Sequence, residues 1–323
     1  MPKTRLQPRP LRGADAFGLR CRLAVGLLAG LVCIQAASGC RAFRCGKASD
    51  ESIGAARQLS LQAMDARQKG HWDQAEQFYA AAITRCPQDE RARCGYAEAL
   101  WRRGDQTEAV AHMEEAVKLS GNDPERLVEL GKMYLALGET RGAATQAERA
   151  IAANRQLAGA WALRGDVLKA EGDRNEAVSS YHRALSYQSH YPQVQLALAE
   201  IYGQQNRGAR ALATLQALAS YYPPGQVPTE VSFRQGLVLR SLGRHRDATE
   251  CLAAAAKQGA PSVELLYELA HSQILSGDAA NARLTLATAQ RRYPEHVLTQ
   301  QLREDLDGGR GQMAVASGST LLR

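Results

Sequence analysis

A glycine followed five residues later by an alanine recurs through this chain, and its spacing constrains the fold more than any other feature. The pairs are Gly70/Ala75, Gly104/Ala109, Gly138/Ala143, Gly172/Ala177, Gly243/Ala248 and Gly277/Ala282. Successive glycines stand 34, 34, 34, 71 and 34 residues apart. The long gap holds one more unit, centred on Asn206/Ala211, plus three inserted residues, Gln226, Val227 and Pro228. Asn, like Gly, tolerates the left-handed backbone of a tight helical turn. The insertion falls in a Pro-rich stretch, 221–228, where a helix does not readily continue. Seven units result: 56–89, 90–123, 124–157, 158–191, 192–225, 229–262 and 263–296. A unit this short cannot bury an apolar face alone, so its stability must come from stacking on neighbours.

Each unit reads as helix, turn, helix. Aromatics are only 6% of the chain and β-branched residues are sparse, whereas Ala and Leu abound, which favours helix over strand. Small residues recur in the first half of every unit: Ala63, Ala97, Gly131, Gly165, Ala199, Gly236 and Ala270. The second half answers with Ala75, Ala109, Ala143, Ala177, Ala211, Ala248 and Ala282. Small facing residues let two helix backbones approach while larger neighbours interlock around them. Tyr79, Met113, Tyr134, Leu168, Tyr181, Tyr202, Leu215, Leu239 and Leu252 are the expected seals of the joints. The expected fold is all-α, an α-α superhelix of seven helix-turn-helix units. A capping helix with a polar outer face is expected over 297–306, and the Gly-rich 307–323 reads as an unstructured tail.

The fourth unit carries Trp161, Gly165, Leu168, Gly172, Ala177, Tyr181 and Ala184, and the third carries Leu130, Gly131, Tyr134, Gly138 and Ala143. This pattern, at a 34-residue period, resembles the tetratricopeptide repeat. Arg164 departs from it, standing where the family has a large apolar residue, and the family's terminal Pro is kept only as Pro87, Pro223 and Pro294. The resemblance implies an extended concave groove lined by the first helix of each unit, holding another protein or a peptide. Its lining positions are the second, fifth, ninth and twelfth of each unit. In this sequence they give Arg57, Met64 and Arg67, then Arg91, Glu98 and Trp101, then Val128, Lys132 and Leu135, then Ala162, Asp166 and Lys169. The last units add Leu196, Glu200, Phe233, Leu237, Arg240, Tyr267, His271 and Ile274. Trp101, Phe233, Leu237 and Tyr267 are the candidate contact anchors, since aromatic residues are enriched at binding hot spots. The family's carboxylate clamp for chaperone tails needs Lys and Asn at the fifth and ninth positions. Here those positions read Ser60/Met64, Cys94/Glu98 and Val128/Lys132, so that clamp is absent.

The first forty residues read as an address. A basic stretch runs to Arg22, an apolar stretch covers 23–34, and Ala36, Ala37, Ser38 and Gly39 precede Cys40. That is the order of a secretory leader, and its apolar core is shorter than a membrane span requires. Two cuts fit. Cleavage near Ala36-Ala37-Ser38 would release a soluble secreted protein. The run Ala37-Ser38-Gly39-Cys40 resembles the lipobox of bacterial lipoproteins, which implies lipidation at Cys40, although Ala37 stands where that family usually has a branched apolar residue. An uncleaved membrane anchor and a cytoplasmic protein with a chance apolar stretch stay open beside these. Residues 40–55 are polar, contain Gly and Ser, and read as a flexible tether.

Other chemistry lacks its residues. The net charge is +7, but the leader holds Lys3, Arg5, Arg9, Arg12, Arg20 and Arg22 against Asp15, and beyond it the charges of both signs are interspersed. The basic face that nucleic-acid binding needs is missing. The seven cysteines form no CxxC pair, and the seven histidines are far apart, so no metal or other cofactor is expected. Cys86 and Cys94 flank one loop, and spacing alone leaves open a disulfide or two thiols. No HExxH, GxSxG or phosphate-loop pattern occurs, and no stretch outside the repeats could form a catalytic domain, so neither an enzyme nor a small-molecule substrate is expected. The expected function is a non-catalytic scaffold of the cell envelope, membrane-held through a lipid anchor or uncleaved leader and facing the periplasm. The alternative is a regulatory subunit of an envelope enzyme or synthase.

Overall fold

A computed structural model describes the backbone of residues 50–318 and the side chains of residues 51–307. Among the described residues there are fifteen α-helices and no strand. They pair along the chain: α1 (Asp50–Gln68) with α2 (Trp72–Arg85), α3 (Glu90–Arg103) with α4 (Gln106–Leu119), and α5 (Pro124–Ala136) with α6 (Thr140–Ala153). Next come α7 (Ala158–Glu171) with α8 (Arg174–Tyr187), and α9 (Pro192–Gln204) with α10 (Gly208–Ala219). The last pairs are α11 (Thr229–Ser241) with α12 (His245–Lys257) and α13 (Val263–Leu275) with α14 (Ala279–Arg292), followed by α15 (Val297–Gly318). Each helix packs on the next, so the array is built from sequential neighbours.

Local signals set the helix ends. The carboxylate of Asp89 accepts the backbone N–H groups of Arg91 and Ala92 at the start of α3, and Asp123 does the same for Glu125 and Arg126 at α5. Pro124 and Pro192 occupy first turns, where a missing N–H costs nothing. Between paired helices the chain turns through one left-handed residue. Six of these are the repeat glycines, such as Gly104 at φ +105°, and in the α9–α10 pair it is Asn206 at φ +56°. The inserted residues 226–228 fall in the connection between α10 and α11, outside both helices.

The small residues lie at the helix crossings. All seven second-helix alanines, from Ala75 to Ala282, are fully buried. A methyl group added to Gly165 would sit 2.5 Å from Tyr181 Cε1, and one on Gly131 or Gly236 would overlap Leu163 or Leu252. Tyr79, Met113, Tyr181, Leu215 and Leu252 are wholly enclosed at these joints. At the C-terminal end α15 lays Leu302 and Leu306 against Ala270 and Ala282, covering the last pair.

The structure moves two boundaries. Helix α1 begins at Asp50, so residues 50–55 are helical rather than tether. Glu51 favours a helix start because a carboxylate in the first turn is attracted to the positive end of the macrodipole. Helix α15 runs to Gly318, through residues expected to be unstructured. No Pro interrupts 297–318, and glycine weakens a helix without forbidding it.

Candidate partner-binding groove

Residues at the ninth and twelfth positions of the first helices meet across neighbouring units. Arg67 on α1 pairs with Glu98 on α3. Lys169 Nζ on α7 donates to Glu200 Oε2 on α9 at 2.7 Å. On α13, His271 Nδ1 lies 3.0 Å from an Arg240 guanidinium nitrogen. Glu268 Oε2 lies 3.0 Å from Arg240 Nε, close enough to pair but not aligned as a hydrogen bond. Each rung joins the twelfth position of one unit to the ninth of the next, 31 residues on. These side chains are about one-third exposed, so each rung contributes at most about 1 kcal/mol and sets register more than stability.

The rungs stop where the sequence supplies no pair. From the second to the third unit the same positions hold Trp101 and Lys132, from the third to the fourth Leu135 and Asp166, and from the fifth to the sixth Gly203 and Leu237. Lys132 is exposed and no carboxylate among the described residues lies within ion-pairing distance of it. Asp166 is half-buried and accepts the Tyr181 hydroxyl at Oδ1, 2.7 Å away. Burial pushes its carboxyl above the usual range, against that hydrogen bond and the ammonium groups of Lys169 and Lys132. Between the first two rungs the groove therefore offers an unpaired cation beside a carboxyl of raised pKa, with Trp101 and Leu135 at neighbouring positions.

The remaining sequence candidates separate by exposure. Arg57, Met64 and Arg91 are exposed. Glu98, Trp101, Leu196, Glu200, Phe233, Leu237, Arg240, Tyr267 and His271 are half-buried. Part of that cover comes from the repeats themselves: Phe233 packs on the cluster of Leu252, Ala255, Leu265 and Leu269, and Tyr267 on the Ala270–Leu302 cluster. The Tyr267 and His271 rings lie parallel within 9°, with centroids 5.9 Å apart, as neighbours one turn apart on α13. Val128 is corrected: it is buried, packed in the core with Leu127, Met133 and Ala160, and presents no surface to a partner. Its β-branched body is covered by α7, where Gly159 leaves room for its Cγ1. Cys40 lies outside the described residues, and none of the described helices is long and apolar enough to cross a membrane.

One group of metal-type donors exists among the described residues: Cys94, Glu98 and Glu129, with ligand atoms within 4.8 Å of one another. The donors are already occupied. Arg67 pairs with Glu98, Arg126 Nη1 donates to Glu129 Oε2 at 2.7 Å, and the Cys94 thiol faces the same oxygen at 3.3 Å. Burial and the Glu129 charge push the thiol pKa up, so it stays protonated and is a poor ligand. Cys86, Cys94 and Cys251 are free thiols.

The tetratricopeptide-repeat family matches residues 60–124, 168–227 and 233–297, together more than half of the chain. A comparison with curated proteins finds no significant match. Among solved structures the fold is similar to PilW, a widely conserved type IV pilus biogenesis factor, at 18% identity and a TM-score of 0.57, covering 66% of this chain and 97% of that one. It is similar to a tetratricopeptide repeat protein of Parabacteroides merdae at 16% identity and a TM-score of 0.55, covering 77% and 97%. It is also similar to YrrB, a protein described as having an unusual peptide-binding site, at 18% identity and a TM-score of 0.50, covering 59% and 97%. Likeness at these identities concerns the fold alone, and with the family match and the paired helices it leads to one conclusion: this chain belongs to the tetratricopeptide repeat family.

Proposed function

We propose that this protein is a non-catalytic envelope scaffold that holds a partner peptide or protein along its first helices. A lipid on Cys40 tethers it to a membrane, facing the periplasm. The observation that carries the binding part is the interruption of the inter-unit rungs at Trp101, Lys132, Leu135 and Asp166. There the groove shows an unpaired ammonium group with apolar neighbours, a combination that suits an acidic or carboxylate-ended peptide. The envelope part rests on the leader sequence and not on the likeness to the pilus factor. Co-purification from detergent-solubilised membranes tests the binding part. A partner retained by the wild type and lost from Lys132→Glu supports it; equal retention refutes it. A partner that proves to be one enzyme in fixed ratio would make the protein a regulatory subunit instead. Intact mass tests the tether: a chain starting at Cys40 with added acyl mass supports it, and a chain without that mass refutes it.

A further inference from the structure

The rungs that tie neighbouring first helices do not share one chemistry. Arg67 and Lys169 each meet a carboxylate, on Glu98 and Glu200. Arg240 on α11 reaches an imidazole instead, its Nη1 lying 3.0 Å from His271 Nδ1 on α13. A guanidinium only donates, so Nδ1 must accept, and the ring must be neutral with its proton on Nε2. A carboxylate ordinarily takes up its proton near about pH 4, whereas imidazole is the side chain that does so between about pH 5 and 8. Of these rungs, the one between the sixth and seventh units is therefore built from a group that changes charge in that range.

The ionisable groups around this ring come from three helices. Arg240 stands on α11, Tyr267 and Glu268 on α13, and Asp305 on α15, from where its charge reaches Tyr267. Tyr267 stacks on the His271 ring and stays neutral through this range, since burial pushes its hydroxyl pKa above the usual value. Glu268 precedes His271 by three residues, so the two side chains share one face of α13. Its Oε2 lies 3.0 Å from Arg240 Nε, yet both atoms are buried and neither makes a hydrogen bond. That oxygen can accept a better-aligned donor. A proton on His271 Nδ1 creates one, and at the same time sets two N–H donors and two positive charges face to face across the rung.

We propose that Arg240, His271 and Glu268 form an acid-released latch between the sixth and seventh units. Protonation of His271 breaks its hydrogen bond to Arg240 and turns the imidazolium to Glu268 on its own helix. A tie across α11 and α13 becomes a contact within α13, and the last pair with α15 loosens from the array. The Arg240–His271 bond exists only while the ring is neutral. Its contribution is therefore present at and above neutral pH and is lost as pH falls through the imidazole range, the reverse of a histidine that gains a carboxylate partner on folding. The latch needs no occupant in the groove, so it stands or falls independently of the scaffold reading.

The test is nuclear magnetic resonance on the full-length protein in detergent, labelled with nitrogen-15 histidine. His271 is assigned by the signal missing from His271→Gln. At about pH 7.5 the expected ring has a bare Nδ1 and a protonated Nε2. Amide hydrogen exchange of α13 and α15 is then followed at about pH 7.5 and about pH 5.5, corrected for the intrinsic rate. Protection there should fall by about three- to fivefold at the lower pH in the wild type, the most that a partly exposed pair supports. Gln at position 271 keeps an acceptor that does not titrate, and Arg240→Gln removes the facing cation, so neither variant should show the fall. Both residues are half-buried, and circular dichroism verifies folding; should one variant not fold, the other carries the comparison. A protonated Nδ1 at about pH 7.5, equal protection at both pH values in the wild type, or the same fall in a folded variant overturns the proposal.

Discussion

The same substitution should act in opposite directions at Gly165 on α7 and Gly203 on α9. A Cβ on Gly165 would lie 2.5 and 2.6 Å from two Tyr181 ring carbons, about 1 Å inside ordinary contact. The ring cannot swing into solvent, because Tyr181 is wholly buried and its hydroxyl is fixed on Asp166. Overpacking of this kind costs about 1–3 kcal/mol, and replacing Gly by Ala in a helix returns up to about 1 kcal/mol. Gly165→Ala should therefore destabilise by up to about 2 kcal/mol, the upper overpacking cost less the helix term. At Gly203 nothing lies within 4 Å of an added methyl group, so only the helix term remains. Gly203→Ala should stabilise by about 0.5 kcal/mol. Urea unfolding followed by far-ultraviolet circular dichroism reads both midpoints. A Gly165→Ala midpoint at or above wild type would refute the claim that close backbone approach, rather than helix propensity, fixes the small residues of the first helices.

Two further outcomes follow from the groove. A double-mutant cycle on Lys169→Ala and Glu200→Ala should give a coupling below about 1 kcal/mol that shrinks with added salt, because the pair is one-third exposed; a larger, salt-insensitive value would contradict the register role. Asp166 holds its proton more tightly folded than unfolded, so its contribution falls as pH rises from about 4 through the raised folded pKa. Asp166→Asn keeps an acceptor for Tyr181 and removes that loss, so the variant should gain on wild type as pH rises through the acid range. A pH-independent difference in urea midpoint would show that Asp166 is not desolvated as described.

Much of the fold is legible in the sequence because a repeat states the same constraint seven times. The glycine-to-alanine spacing locates the turn inside each helix pair, and Asn206 fits its place because it adopts the same left-handed backbone as the glycines around it. The helix limits near residues 50 and 318 are not legible, since no repeat spans them and composition alone reads a Gly- and Ser-containing stretch as loose. Exposure at the groove is less legible than position. Val128 and Lys132 hold equivalent kinds of place on one helix, yet α7 covers the first and leaves the second open. The inter-unit rungs have a signal that pattern reading passes over: a basic residue at the twelfth position followed, 31 residues on, by Glu98, Glu200 or His271.

The proposed function requires a protein partner held along the first helices, at the gap between the first two rungs. The direct measurement places a photo-cross-linking amino acid at Trp101 in the full-length protein, with Leu284 on the second helix α14, 67% exposed, as the comparison site, in the native membranes. One protein should be cross-linked from position 101, absent from position 284, and lost when Lys132→Glu is added. Equal cross-linking from both positions, or none from position 101, would contradict it.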